Sequence, residues 1–320
     1  MGAGFINNVH ADVLMREDGV RITAVVDPDV ERAATLAAKT GAAVMPSLEA
    51  LLESGVDAVY IATPNALHAQ AALAALAAGV HVFAEKPMAT TLADARRVRQ
   101  AASSARGVYQ MGFNRRFAPI YRLLKELIQK GELTPHWAHL KMNRGELHSP
   151  PWVADAAVSG GFLYETTIHL LDMSRWLFGE VREVMCRAAQ SCYNQLDDFA
   201  MLISFASGAT ATLCSSAHAT WLFPFERVEV FGDHATAVTE EMERLTYCSG
   251  LGRAAVTHDQ AQLPMPARWG YVEEDRLFLA AITGGGQPAV SAEDGYRAVE
   301  LVEACYRAAR TAEPVPLPLE

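Results

Sequence analysis

Between residues 21 and 111, short β-branched runs alternate with alanine-rich helical runs, and no other feature restricts the fold of this chain as much. Arg21–Val26 (RITAVV) reads as a buried strand and Asp29–Thr40 as a helix ended by Gly41. Ala43–Met45 is a short strand, and Ser47 caps a helix that runs to Glu53. Asp57–Ala62 is the next strand; a helix over Ala66–Ala78 follows, with Asn65 as a possible cap and Gly79 as its stop. Val80–Ala84 (strand), Thr91–Ala105 (helix) and Val108–Met111 (strand) complete the run. Strands separated by helices of about a dozen residues form βαβ units, so an α/β class with a doubly wound parallel sheet of the Rossmann kind is expected.

The second half follows another rule. Arg115–Lys130 is an amphipathic helix. Strand-like runs then dominate: His136–Met142, Val181–Ala188, Phe199–Phe205, Ala209–Ser215, Arg227–Phe231 and Ala235–Thr239, with Ser207-Gly208 as a hairpin turn. Helices are expected at Thr166–Phe178, Tyr271–Ile282 and Ala292–Thr311. Successive strands with few crossover helices indicate an α+β domain with a large open, mostly antiparallel sheet. The boundary is expected near residue 113, giving a first domain over 1–113 and a second over 114–320. The last helix is expected to pack back on the first domain. Two domains suit 320 residues, at roughly 100–200 each.

The formal net charge of −10 and the lack of any basic block argue against nucleic acid. No apolar run reaches the roughly 20 residues of a membrane span, and no secretory signal opens the chain. The five cysteines (186, 192, 214, 248 and 305) fit neither a disulfide framework nor a metal site, so we expect reduced thiols, no metal and a cytoplasmic protein.

The chain begins Met1-Gly2-Ala3-Gly4-Phe5-Ile6-Asn7. Gly-x-Gly at the mouth of a helix is half of a dinucleotide fingerprint. Gly2 makes the tight turn, Gly4 lets the backbone approach a pyrophosphate, and the helix start at Phe5 and Ile6 offers free N–H groups. Asn7 stands where a third glycine or alanine belongs. Asp27, some 23 residues on, ends a strand where an acid can accept from an adenosine ribose, although a turn residue before Pro28 is an equally good reading. The fingerprint also needs a strand before the glycines, and only Met1 is there. We therefore expect about half a dozen residues of central strand to be missing, through a misplaced start, since its removal would leave backbone edges unpaired inside the core.

Three segments carry chemistry. Ala62-Thr63-Pro64-Asn65-Ala66-Leu67-His68 lies at the carboxyl end of a strand, where such sheets bind ligands. Thr63 and Asn65 offer polar groups to a ribose or nicotinamide, or simply shape a strand–helix junction. Glu85-Lys86-Pro87 also ends a strand; a lysine there can stabilise alkoxide charge, or remain a solvated surface residue. In Gly160–Asp172 (GGFLYETTIHLLD), Glu165, His169 and Asp172 share one face if the segment is helical. A histidine between two acids suits a general base; a buried structural histidine, with Asp172 paired to Arg175, is the plainer reading.

These segments together resemble the Gfo/Idh/MocA oxidoreductases, a family that includes glucose–fructose oxidoreductase and inositol dehydrogenases. VDAVYIATPNALHAQAALAALAAGVHVFAEKP is similar to its nucleotide-domain core, SGGFLYETTIHLLD to its second motif, and VSAEDGYRAVELVEACYRAARTAEPVPL to its closing helix. The resemblance implies NAD or NADP, a dimer or tetramer, and a sugar, cyclitol or sugar-acid substrate. It implies that Lys86 and His169 act at the substrate, with Glu165 where the family usually has aspartate and Thr167 where it often has glycine. It puts Asn114 near the nicotinamide, with Gly2, Gly4, Phe5, Ile6, Asp27, Ala62, Thr63, Pro64, Asn65, His68, Glu85 and Lys86 around the cofactor. NAD is expected over NADP because Asp27 has no arginine beside it and Pro28-Asp29 would repel a 2′-phosphate. Asn143–Val153 precedes the histidine helix and is expected to line the pocket, with Trp152 stacking on a sugar face and Arg144 or His148 holding an anionic group; Asp172 is a further substrate candidate. Two rival readings are a catalytically silent cofactor-binding regulator and a homologue with impaired cofactor binding. The outer face of the open sheet points to a homo-oligomer.

Overall fold

The computed structural model describes residues 1–144, 150–220 and 223–319. In chain order the elements are α1 (Phe5–Leu14), β1 (Ala24–Val25), α2 (Val30–Thr40), β2 (Ala43–Val44), α3 (Leu48–Glu53), β3 (Ala58–Ile61), α4 (His68–Ala77), β4 (His81–Glu85), α5 (Leu92–Ser104) and β5 (Tyr109–Gly112). There follow α6 (Pro119–Gln129), β6 (Trp137–Asn143), α7 (Ala156–Ser159), α8 (Ile168–Phe178), β7 (Val181–Ala189), β8 (Asp198–Phe205), β9 (Thr210–Ser216), β10 (Glu226–Phe231) and β11 (Thr236–Glu240). The chain ends with β12 (Arg244–Cys248), β13 (Val256–Asp259), α9 (Met265–Arg268), α10 (Tyr271–Gly284), α11 (Ala292–Thr311) and β14 (Val315–Pro316). Two compact units emerge: Met1–Asn114 with Gly270–Tyr296, and Arg115–Trp269 with Arg297–Glu320.

In the first unit every strand pairing is parallel, as β1 with β2 and β3-β4-β5 in that order. Between the two groups lie Met1 and Gly2. The Gly2 N–H donates to the Val26 carbonyl at 2.8 Å, the Met1 amino group to Tyr60 O at 2.7 Å, and Ala62 N–H to Met1 O at 3.0 Å. The order β2-β1-(Met1–Gly2)-β3-β4-β5 is that of a doubly wound sheet. Strand β1 is shorter than the expected Arg21–Val26, because its regular ladder is formed with β2 alone. Alanines let the helices lie close on the strands: Ala72 and Ala75 of α4 are fully buried, as are Val82, Phe83 and Ala84 of β4. Caps start the helices where short polar side chains stand. The Asp29 carboxylate accepts from the N–H groups of Glu31 and Arg32, and the Ser47 hydroxyl from that of Ala50. Asn65 opens a 3₁₀ turn, Asn65–Leu67, ahead of α4, which begins at His68 and not at the expected Ala66.

In the second unit nine strands form one sheet, ordered β13-β12-β11-β10-β6-β9-β8-β7-β14. Neighbours are antiparallel except β6 and β9, which run parallel. Alternation sends Val184, Met201, Ile203, Leu213, Leu140 and Val228 into the core. Aromatic pairs seal that face, Phe162 stacking on Phe199 and Phe178 standing edge-on to Phe205. Strands β12, β13 and β14 were not expected. They are short, and β13 is mostly exposed, so no apolar alternation marks it.

Candidate active site

The dinucleotide cradle is built from backbone. Gly2 has φ +83°, and a Cβ there would stand 2.3 Å from the Ala62 carbonyl oxygen, so only glycine fits. A Cβ on Gly4 would meet nothing within 4 Å, which leaves the mouth of α1 open for a phosphate. No side chain caps that helix start, so the N–H groups from Phe5 onward are not taken up by a cap. The Asp27 carboxylate accepts from Ala3 N–H at 2.6 Å and from Asp29 N–H at 2.8 Å, which fixes the acid against the glycine turn. These features fit a dinucleotide: a glycine turn, an open helix N-terminus and an acid at the end of the next strand.

Asn7, which departs from the fingerprint, reinforces the turn. Its side-chain amide donates to the carbonyls of Met1 at 2.7 Å and Gly2 at 2.6 Å, and that of Asn8 donates to Ala3 and Gly4. Sequence reasoning treated Asn7 only as a missing glycine.

Two expected cofactor residues have other partners. His68 is buried, with Nδ1 at 2.7 Å from Pro87 O and Nε2 at 2.8 Å from Thr63 O. It ties the Thr63-Pro64-Asn65 turn to the Lys86-Pro87 turn from behind. Burial pushes its pKa down, against the pull of the two carbonyls. Glu85 is buried too: Oε1 meets His10 Nε2 at 3.2 Å, and Oε2 accepts the Lys86 backbone N–H at 3.2 Å. Both are engaged in shaping the turns whose exposed groups remain candidates for cofactor contact. Thr63, Pro64 and Lys86 are partly exposed, whereas Asn65 and Asn114 are buried.

In the second unit the histidine segment is not one regular α-helix. Leu163–Thr167 forms a π-helical turn that runs into α8. Such turns widen the helix by one residue and are frequent at functional sites. Glu165 on this turn is partly exposed, and His169 at the start of α8 is buried. Thr167 is fully buried and its hydroxyl meets Ser215 Oγ at 2.7 Å, which anchors the π turn to β9. Asp172, a substrate candidate from the sequence, is held bidentately by Arg116, at 2.8 and 2.6 Å, and both are buried. Arg175, the pairing considered from sequence for Asp172, donates to both carboxylate oxygens of Glu180. Arg144 lies with its guanidinium 4.9 Å over the Phe225 ring, Trp152 stands in a partly exposed turn, and His148 lies outside the described residues.

His10, Asp275 and Arg116 were missed. Each pairs across a long stretch of chain and carries no local motif. Among the described residues, one group has the ligand types for a metal: Asp197, Asp198 and His218. Its acids are committed elsewhere, Asp197 to the N–H groups of Ser191, Cys192 and Tyr193, and Asp198 to Ser191 and His218.

Comparison with known proteins decides the family. Residues 1–113 match the model described as "Oxidoreductase family, NAD-binding Rossmann fold", and residues 125–317 that described as "Oxidoreductase family, C-terminal alpha/beta domain". The chain belongs to the Gfo/Idh/MocA oxidoreductase family. It is a nicotinamide-dependent dehydrogenase acting on CH–OH groups. Among Gfo/Idh/MocA relatives, inositol 2-dehydrogenase 3 of Saccharopolyspora erythraea is 32% identical and aligns with 100% of this chain and 95% of its own length. Myo-inositol 2-dehydrogenase of Thermotoga maritima is 28% identical over 94% of this chain and 92% of its own. Among solved structures, GenD2 from gentamicin A biosynthesis in complex with NAD superposes with a TM-score of 0.87 at 27% identity, covering 99% of this chain and 95% of that one.

Proposed function

We propose that this protein oxidises a secondary hydroxyl of a cyclitol, sugar or sugar acid with NAD. The observation that carries the reading is the full-length likeness to inositol dehydrogenases, together with a glycine cradle whose acid, Asp27, is already fixed in place. In this reading His169 accepts the hydroxyl proton. The Lys86 ammonium binds the same oxygen and stabilises its charge as the proton leaves. Glu165 orients the imidazole from the preceding turn. The nicotinamide, when bound, accepts the hydride. Trp152 and Arg144 are the candidates for the substrate's far side.

NAD is preferred over NADP because Asp27 and Asp29 would both face a 2′-phosphate. Arg32, on the helix that follows, is paired with Asp29 at 3.1 Å. A lower KM for NADP than for NAD would overturn that preference. We further propose a cytoplasmic homo-oligomer; all five cysteines are free, and no helix among the described residues is long and apolar enough to cross a membrane. The test of the reaction is a screen of polyols, sugars and sugar acids for nicotinamide reduction. His169→Ala should lower turnover by roughly 10²- to 10⁴-fold while NAD still binds. Unchanged turnover would remove His169 from the mechanism.

A further inference from the structure

The reaction assigns no task to His10, yet its surroundings are the most constrained in the first unit. It lies on α1, six residues after Gly4, and is buried. Its Nδ1 is 2.8 and 3.0 Å from the two carboxylate oxygens of Asp275 on α10. Its Nε2 is 3.2 Å from Glu85 Oε1 at the end of β4, while Glu85 Oε2 takes the Lys86 N–H. The rings of Tyr60, Phe83 and Tyr271 enclose the imidazole. Gly112 of β5 makes room for the acid, since a Cβ there would come within 3.2 Å of Glu85 Cδ.

A neutral imidazole has one N–H and could satisfy one of the two carboxylates. With a carboxylate at each nitrogen both nitrogens donate, as in an imidazolium; burial pushes the Asp275 carboxyl up, and His10 is the main group that pulls it back down. Burial alone would lower the His10 pKa; Asp275 and then Glu85 outweigh it and hold it up at about 10. The charged groups that act on the ring are Asp275 from α10 and Glu85 from β4; Tyr271 from α10 and Tyr60 from β3 pack against it, the Tyr60 phenol pushed well above its usual range by burial and then by Asp275.

We propose that His10 is a positioning residue for Lys86: as a buried imidazolium it orients Glu85, and Glu85 fixes the backbone amide of Lys86. The inference rests on the proposed part of Lys86 in the reaction. Its consequence is that α1, whose N-terminus forms the dinucleotide cradle, also sets the turn that carries the reacting lysine.

The test uses the full chain and the variants H10Q, H10Q/E85Q and D275N. Nitrogen NMR of the wild type, with His10 assigned by its loss in H10Q, should show both ring nitrogens protonated at pH 8; a ring titrating near 6.5 overturns the proposal. H10Q should lower kcat about 10- to 100-fold, with the NAD Kd from fluorescence titration within about threefold of wild type. In H10Q the Asp275 carboxyl, which burial already pushes up, faces the Glu85 charge without the cation that holds it down and takes up a proton at higher pH; the charge lost beside Glu85 should give kcat an acid limb that is absent from the wild type. The limb should vanish in H10Q/E85Q. A loss uniform across pH, or one matched by lost NAD affinity, overturns the proposal as a merely structural effect. If H10Q does not fold, D275N decides: with one acid gone, His10 loses its proton at lower pH and kcat should fall on the basic side, and a wild-type profile refutes the lock. Lys86→Met separates the two readings. Retained kcat there defeats the role of Lys86, while the NMR result still decides the state of His10.

Discussion

At the residue scale the site divides by the reach of each partnership. Lys86 and His169 stand inside local strings, E-K-P and the glycine-rich histidine segment, so the sequence singles them out, and their roles are the ones proposed above. His10 was not: its partners lie 75 and 265 positions away, and only the fold brings them to one ring. Asp172 shows the converse. Helical spacing sets it on one face with His169, and spacing cannot reveal its planar bidentate partner Arg116, 56 positions earlier. The His10 charge also sets a stability profile. The folded ring keeps its proton to about 10, while the unfolded ring releases it near the ordinary histidine value of about 6.5. Between those values the folded state binds more protons, so stability is full below about pH 6.5 and is lost as pH rises towards 10. The Tm should fall steadily from neutral pH to about pH 9.5, and H10Q should flatten that slope. A wild-type Tm that rises over this interval would contradict a charged His10.

At the element scale, what was legible followed from periodicity and caps. The helix over Ala292–Thr311 emerged with its expected ends, and α2, α3 and α5 begin at the capping residues Asp29, Ser47 and Thr91. What was not legible lacks a local signal. β13 alternates no apolar face, and the π turn before α8 depends on Thr167 finding Ser215 on β9. The glycine turn at the head of α1 is the element on which cofactor binding rests. Gly2→Ala would drive a methyl to 2.3 Å from Ala62 O in a left-handed backbone, so the turn must open. NAD affinity should fall by at least about tenfold, read by fluorescence titration. Gly4→Ala meets no protein atom, so any loss there reports the approach of a phosphate directly. Comparing the two variants separates a broken turn from an obstructed one.

At the scale of the whole molecule, the nine-stranded sheet leaves one problem for the chain to solve. Its inner face is closed by aromatic and aliphatic contacts, while its outer face presents Trp137, Met185 and Leu202. Met185 and Leu202 are directly paired across β7 and β8, so their side chains form one apolar patch rather than scattered single residues. Charged neighbours on the same strands, Glu183 and Arg187, surround that patch with polar groups. An apolar centre with a polar rim is the pattern of an interface, and a twofold contact needs only one such surface, used twice. A second copy of this chain is therefore the proposed occupant. Leu202→Glu combined with Met185→Glu places two like charges at the centre of that contact and touches no core residue. Sedimentation should then show a monomer with wild-type circular dichroism. A wild-type chain that already sediments as a monomer at micromolar concentration would show that this face is not used for self-association.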